Sequence, residues 1–165
     1  MRRLPLIPTL LFFAASCSPT GPRAVAHGGA QALADGDHAR AAKMLATALE
    51  DLEPNSSAAL KARLERCRAL AHLDAALAQR EFLALLETGQ VDFGHVSMLT
   101  DDLAEAQEYD TAIAVLEACY AKLPGEARLN ELRDRVGQLA EASSIDTSML
   151  DRLRDLGYLG NDRAR

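Results

Sequence analysis

The sequence predicts an all-α protein built from repeated helix pairs, and three observations support this prediction. The chain of 165 residues has no tryptophan and only 4% aromatic residues, so leucine and alanine must form most of its core. These residues suit closely packed helices, whereas a β-sandwich would need more β-branched and aromatic residues. Apolar residues also recur at helical spacing, and proline ends two helices of the same pattern.

Two segments of the chain share one apolar pattern. Pro54 follows the first segment and Pro124 follows the second. The six apolar positions agree at a shift of 71 residues, which fits two repeats of about 35 residues. The matching positions are Ala41, Ala42, Leu45, Ala48, Leu49 and Leu52 in the first segment and Ala112, Ile113, Leu116, Cys119, Tyr120 and Leu123 in the second.

A middle copy should begin near residue 75, and its register stays open. A shift of 34 residues places five apolar residues and Gln79 at the six positions, while shifts of 35 to 37 place four apolar residues each. Each of the three helices also has a predicted partner helix before it. The partners are the segment 25–34, a segment with Leu60, Leu64, Cys67 and Ala71, and a segment with Val96, Leu99, Leu103 and Ala106.

Residues 126–160 are interpreted as a C-terminal helix followed by a short capping helix. The first helix is predicted from Glu126 to Ala142, with apolar residues at helical spacing: Leu129, Leu132, Val136 and Leu139. The segment 148–151 has the sequence of a capping box, and Gly157 ends the short helix. Such a cap would cover the last apolar face of a helical stack, and residues 161–165 would form a tail.

The turn that opens the first copy resembles the turn of the tetratricopeptide repeat (TPR), a helix-turn-helix unit of 34 residues. Gly36-Asp37-His38 followed by Ala41 matches that family's glycine, acidic residue, aromatic residue and alanine. The segment 107–112 keeps the tyrosine and the alanine. The resemblance covers residues 24–125 and implies a short right-handed α-solenoid of about three helix hairpins. Gly28 and Gly29 depart from the family pattern and leave the order of the first hairpin open.

The N-terminal segment resembles a bacterial lipoprotein signal peptide. Two arginines precede an apolar run, residues 4–15, which is about 12 residues long and too short to span a bilayer. The resemblance implies that residues 1–16 are removed and that Cys17 becomes the lipidated first residue. Residues 17–23 contain two prolines and a glycine, and they predict a short tether between lipid and fold.

The same resemblance implies a location in the bacterial cell envelope, as a periplasm-facing lipoprotein. Ser18 follows the cysteine at the position where aspartate would favour the inner membrane, so the outer membrane is favoured. The segment Ala24-Val25-Ala26 leaves open a cleavage site of ordinary secretion, and the protein would then be secreted without a lipid.

Charge limits the classes of partner. Without residues 1–16 the chain carries 16 basic and 24 acidic residues, a net charge of −8. A chain this acidic, with no basic cluster, cannot neutralise a row of phosphates, so nucleic acid is not an expected partner. Attachment to an anionic membrane would then depend on acyl chains.

The sequence shows no catalytic motif, and it predicts no enzyme activity, no cofactor and no metal site. None of the histidines stands at ligand spacing from a cysteine or carboxylate; they are His27, His38, His72 and His95. The carboxylate pairs Asp101-Asp102 and Glu50-Asp51 are interpreted as solvated charges on helix surfaces. Cys67 and Cys119 fall on apolar stripes and are interpreted as buried thiols, with a disulfide as the alternative.

Stacked helix pairs present a concave surface, lined mainly by their first helices, that can hold an extended peptide or a partner helix. On the first helix of the second copy, four polar residues share one stripe opposite the apolar one: Lys61, Glu65, Arg68 and His72. This stripe predicts a peptide-binding groove whose cations meet a carboxylate of the partner. The alternative is a solvated helix face with ordinary i,i+4 ion pairs.

The sequence therefore predicts a non-catalytic, lipid-anchored envelope protein that acts as a protein–protein interaction scaffold. One alternative is an accessory module of a secreted hydrolase, because the segment 155–160 resembles an ending found in some secreted repeat proteins and sulfatase-like chains. The other is a self-associating structural lipoprotein. The identity of the partner and the oligomeric state stay open.

Overall fold

The protein is all-α, as the sequence predicts. A computed structural model describes residues 21–143 and the single positions 154 and 157. The predicted signal peptide, Cys17 and most of the predicted capping helix lie outside these residues. The helices in the described part are α1 (Pro22–Ala34), α2 (His38–Asp51), α3 (Ser57–Ala71), α4 (Ala75–Glu87), α5 (Phe93–Glu105), α6 (Tyr109–Lys122) and α7 (Arg128–Ala142). Among these, none combines the length and apolar character that a bilayer span requires.

Neighbouring helices pack as hairpins that stack into a repeat-like solenoid. The hairpins are α1 with α2, α3 with α4, and α5 with α6. The first helices stack in the order α1, α3, α5 and α7, and α4 also packs against α6. The first helices begin at Pro22, Ser57, Phe93 and Arg128, at intervals of 35, 36 and 35 residues. Each hairpin therefore contacts mainly its neighbours along the stack.

The structure decides the register of the middle copy. The second helices begin at residues 38, 75 and 109, so the shifts are 37 and then 34 residues. At these shifts the buried positions coincide as Ala41, Ala78 and Ala112, then Leu45, Phe82 and Leu116, then Ala48, Leu85 and Cys119. The shift of 34 that places most apolar residues in the sequence is therefore not the register of the middle copy.

Helix length explains the longer first interval. The loops inside the hairpins have three residues each, and the loops between hairpins have five. Helix α3 has 15 residues against 13 in α5, and α2 has 14 against 13 in α4. Sequence matching at one fixed shift could not detect this, because the extra residues lie inside helices and not in loops.

Short polar side chains begin four of the helices. The side chains of Asp37, Ser56, Asp74 and Asp92 each accept a hydrogen bond from the backbone N–H three residues later. Such caps satisfy donors that have no partner within the helix. They also explain why three of the helices begin one residue after an aspartate.

The glycine pair of the first hairpin allows a close helix crossing. Gly29 is buried in α1, and a Cβ atom at this position would lie 2.7 Å from Cγ and 3.3 Å from the backbone N of Leu45 in α2. A Cβ on Gly28 would meet only the terminal methyl group of Met44, at 2.6 Å. The first hairpin is helical despite its glycines, and Gly29 is needed because α1 and α2 lie too close for a side chain there.

Leucine and alanine fill the core, as the composition predicts. Cys67 and Cys119 lie in the main apolar cluster as free, fully buried thiols. Burial raises the pKa of each thiol to about 12, so neither forms a reactive thiolate near neutral pH. In α7 the predicted apolar stripe is buried at Leu129, Leu132 and Val136, whereas Leu139 is 43% exposed.

The turns before α2 and α6 suggest a reciprocal substitution test. Gly36 has a φ of 77°, and Gln107, at the same position of the third copy, has a φ of 63°. A left-handed backbone costs a residue with a Cβ about 1–2 kcal/mol. We therefore expect Gln107→Gly to raise the free energy of unfolding by about 1 kcal/mol, measured by urea denaturation.

Gly36→Gln is the matched control. No heavy atom lies within 4 Å of a Cβ on Gly36, so any change reports the backbone conformation and not a clash. This variant should lose about 1 kcal/mol of stability. Equal stability of both variants and the unaltered chain would show that neither turn is strained by a side chain.

The crossing of α1 and α2 yields a second test. Gly29→Ala should destabilise the protein by about 1–3 kcal/mol, because Leu45 and the α2 backbone must move away from the new methyl group. Gly28→Ala should be neutral or stabilise by up to about 1 kcal/mol, because Met44 can change rotamer and alanine favours helix. Thermal unfolding followed by circular dichroism distinguishes the two. Similar losses for both variants would contradict a close approach that is specific to Gly29.

Candidate functional site

Two clefts open on either side of the N-terminal half of α3. The α1–α3 cleft has a volume of about 310 Å³, and the α3–α5 cleft has a volume of about 410 Å³. Ser57, Lys61 and Glu65 line both clefts, so this part of α3 forms a ridge between them. Both volumes lie near the lower end of the range for ligand pockets in proteins.

The α1–α3 cleft has an apolar floor of small residues and a rim of charged ones. Its floor consists of alanines from both helices, Ala26, Ala30, Ala58 and Ala62. Arg23 and His27 of α1 face Lys61 and Glu65 of α3 across this floor. With neutral histidine the rim carries two positive charges and one negative charge, so it favours an anionic group over a cationic one.

The α3–α5 cleft is more apolar. It is lined by Leu60 and Leu64 of α3 and by His95 and Met98 of α5. The Met98 residue is 42% exposed, and its flexible thioether side chain can adapt to an apolar group of a partner. Nδ1 of His95 accepts a hydrogen bond of 3.2 Å from the backbone N–H of Asp92, which fixes the ring at the start of α5.

Glu65 lies on the ridge in a partly desolvated environment. Its carboxylate is 3.7 Å from Nζ of Lys61, whose side chain is 74% exposed. Burial raises the pKa of the Glu65 carboxyl above its ordinary value, and the cations Lys61 and Arg68 offset only part of this effect. A hydrogen-bond donor from a partner would therefore stabilise the Glu65 carboxylate.

The structure divides the predicted polar stripe of α3 into two halves. Lys61 and Glu65 lie together at the clefts, whereas Arg68 binds a residue of the next hairpin. Nε and Nη2 of Arg68 donate to the two carboxylate oxygens of Asp102 at 2.6 and 3.2 Å. The Asp102 side chain is only 13% exposed, so the expectation of a solvated carboxylate at this position is wrong. Arg68 holds α3 against α5 and does not line either cleft.

His72, at the end of the stripe, contacts both α2 and α5. Its ring stacks on the ring of His38, with centroids 3.8 Å apart and an interplanar angle of 11°. Burial, followed by the nearby His38, lowers the pKa of His72 below its ordinary value, which favours the neutral imidazole. One ring nitrogen of His72 and carboxylate oxygens of Asp102 and Glu105 all lie within 4.8 Å of one another.

Several of these partners were not expected from the sequence. Arg23 and His27 belong to the least certain helix of the pattern, and Asp102 was assigned to solvent. A signal is nevertheless present, because three contacts join residues about one repeat apart. Arg68 and Asp102 differ by 34 positions, as do Tyr109 and Ser143, and Lys122 and Glu87 differ by 35. A search for complementary side chains one period apart would have found them.

The geometry offers a binding surface with cationic, carboxylate and apolar groups, and function has to be inferred from this surface. Neither the models of known protein families, nor the curated proteins, nor the solved structures include a match to this chain.

Proposed function

We propose that this chain is a non-catalytic, lipid-anchored envelope protein that binds another protein through a TPR-like groove. The groove consists of the α1–α3 and α3–α5 clefts together. The observation that carries the proposal is the pairing of a cationic, alanine-floored cleft with an apolar one across a single ridge on α3. Concave surfaces of helical stacks bind extended peptides in this way.

The charges and side chains of the groove define the partner that fits. Arg23 and Lys61 suit a carboxylate, either an acidic side chain or a chain terminus, as charge-assisted hydrogen bonds. The alanine floor allows a peptide backbone to approach closely, and a backbone N–H of that peptide can donate to Glu65. An apolar side chain of the same segment would pack on Met98. The partner is therefore an extended segment with a carboxylate and a nearby apolar residue.

A lipid on Cys17 would place this groove close to the membrane. Five positions separate Cys17 from Pro22, the first residue of α1, and Arg23 at the groove directly follows. An extended chain of this length spans at most about 17 Å. The proposed partner is therefore a protein that reaches the membrane surface, such as a membrane protein or another anchored one.

The groove is tested by reversing its charges. Arg23→Glu with Lys61→Glu should reduce recovery of the partner at least tenfold, because the variant repels the carboxylate that the groove binds. The measurement is affinity purification from detergent-solubilised membranes of the native host, followed by quantitative mass spectrometry. Arg68 is left unchanged, because its contact with Asp102 supports the fold.

Arg40→Glu with Lys43→Glu is the matched control. These exposed residues of α2 lie outside the groove, and their substitution changes the net charge by the same amount. Proteins recovered with the unaltered chain and this control, but lost with the groove variant, support the proposal. Equal recovery with all three chains, with unfolding curves also equal, would exclude the groove as the binding surface.

The lipid anchor has its own test. Cys17→Ala should move the protein from the detergent phase to the aqueous phase in a phase-separation assay, because no acyl chain can then be attached. Cys67→Ala is the control, since this thiol is fully buried in the core, and it should partition like the unaltered chain. Unchanged partitioning of the Cys17→Ala variant would contradict lipidation at this residue.

A further inference from the structure

We propose that His72, Asp102 and Glu105 form a zinc-binding site that links the second hairpin to the third. His72 caps the C-terminus of α3, while Asp102 and Glu105 lie in the last turn of α5. The three residues lie at the same end of two stacked helices, on the side away from the groove residues Ser57 and Lys61. The sequence predicts no metal site here, because its ligands come from different repeats.

The distances suit a single ion. One ligand atom from each residue lies within 4.8 Å of the other two. Zinc binds imidazole nitrogen and carboxylate oxygen at about 2.1 Å, so two ligands of one ion are at most roughly 4.2 Å apart. Side-chain rotation of less than an ångström therefore completes the site. Glu105 is exposed at the helix end and has the freedom to make this movement.

The surrounding residues prepare the ligands. The stack on His38 holds the His72 ring in place, and Arg68 holds the Asp102 carboxylate. Groups that orient the ligands in this way are typical of metal sites. A carboxylate has about four lone-pair positions, so Asp102 can bind Arg68 and an ion together. With Arg68 included, the site carries one net negative charge, which favours a cation.

The ligand set favours zinc over the common alkaline-earth ions. Imidazole is a good ligand for zinc, whereas magnesium and calcium prefer all-oxygen sites with six or more ligands. Three protein ligands leave one tetrahedral position for water. The ion would join α3 to α5 at the junction of two hairpins, where α5 packs against α3 but α4 and α5 are not among the closely packed helix pairs of residues 21–143.

Zinc chloride is the probe for this site. Isothermal titration of the full chain, without a histidine tag and in a chelator-free buffer, should show one zinc ion per chain. Zinc should also raise the midpoint of thermal unfolding, and EDTA should reverse this shift. Glu105→Gln should weaken zinc binding at least tenfold, because it removes one ligand charge while keeping the shape of the side chain.

His72→Gln should cause a similar loss, and Glu108→Gln is the matched control. Glu108 is exposed, lies three positions beyond Glu105 and is not part of the cluster, so this variant should bind zinc normally. Unchanged zinc affinity of Glu105→Gln would overturn the proposal whatever the His72 variant does. The proposal would also fail if the unaltered chain bound no zinc, or if magnesium produced the same thermal shift.

Discussion

Alanine occupies the same fully buried position in all three second helices, as Ala41, Ala78 and Ala112. With so few aromatic residues, the core depends on leucines that interdigitate between helices at short distance, and this requires small residues at the closest points. Gly29 meets the same requirement where α1 lies against Leu45. Since each hairpin covers its apolar face only with its neighbours, this close approach supports the whole stack.

Polar contacts between repeats add to the apolar stack. The residue that begins the second helix of a hairpin contacts the C-cap of the next first helix in two places. His38 stacks on His72, and the hydroxyl groups of Tyr109 and Ser143 are 2.8 Å apart. These contacts align successive hairpins at one end of the stack. The aromatic position of the TPR-like turn therefore has a structural role between repeats as well as within one.

The two proposed sites lie at opposite ends of the same helix pair. The groove uses the N-terminal half of α3, and the proposed zinc site uses the C-terminal ends of α3 and α5. A bound ion would fix the spacing of these helices at one end and thereby limit changes in the width of the α3–α5 cleft at the other. Metal binding and partner binding would then be coupled through a rigid helix pair.

The amino-acid pattern alone determined the all-α class, the helix pairs and the match between the first and third copies, because helical periodicity and caps are local properties. The tertiary structure decided the register of the middle copy, since the extra residues lie within α2 and α3. It also decided which half of the α3 stripe faces a cleft. Arg68 and His72 bind neighbouring helices, and such contacts depend on how hairpins stack and not on spacing within one helix.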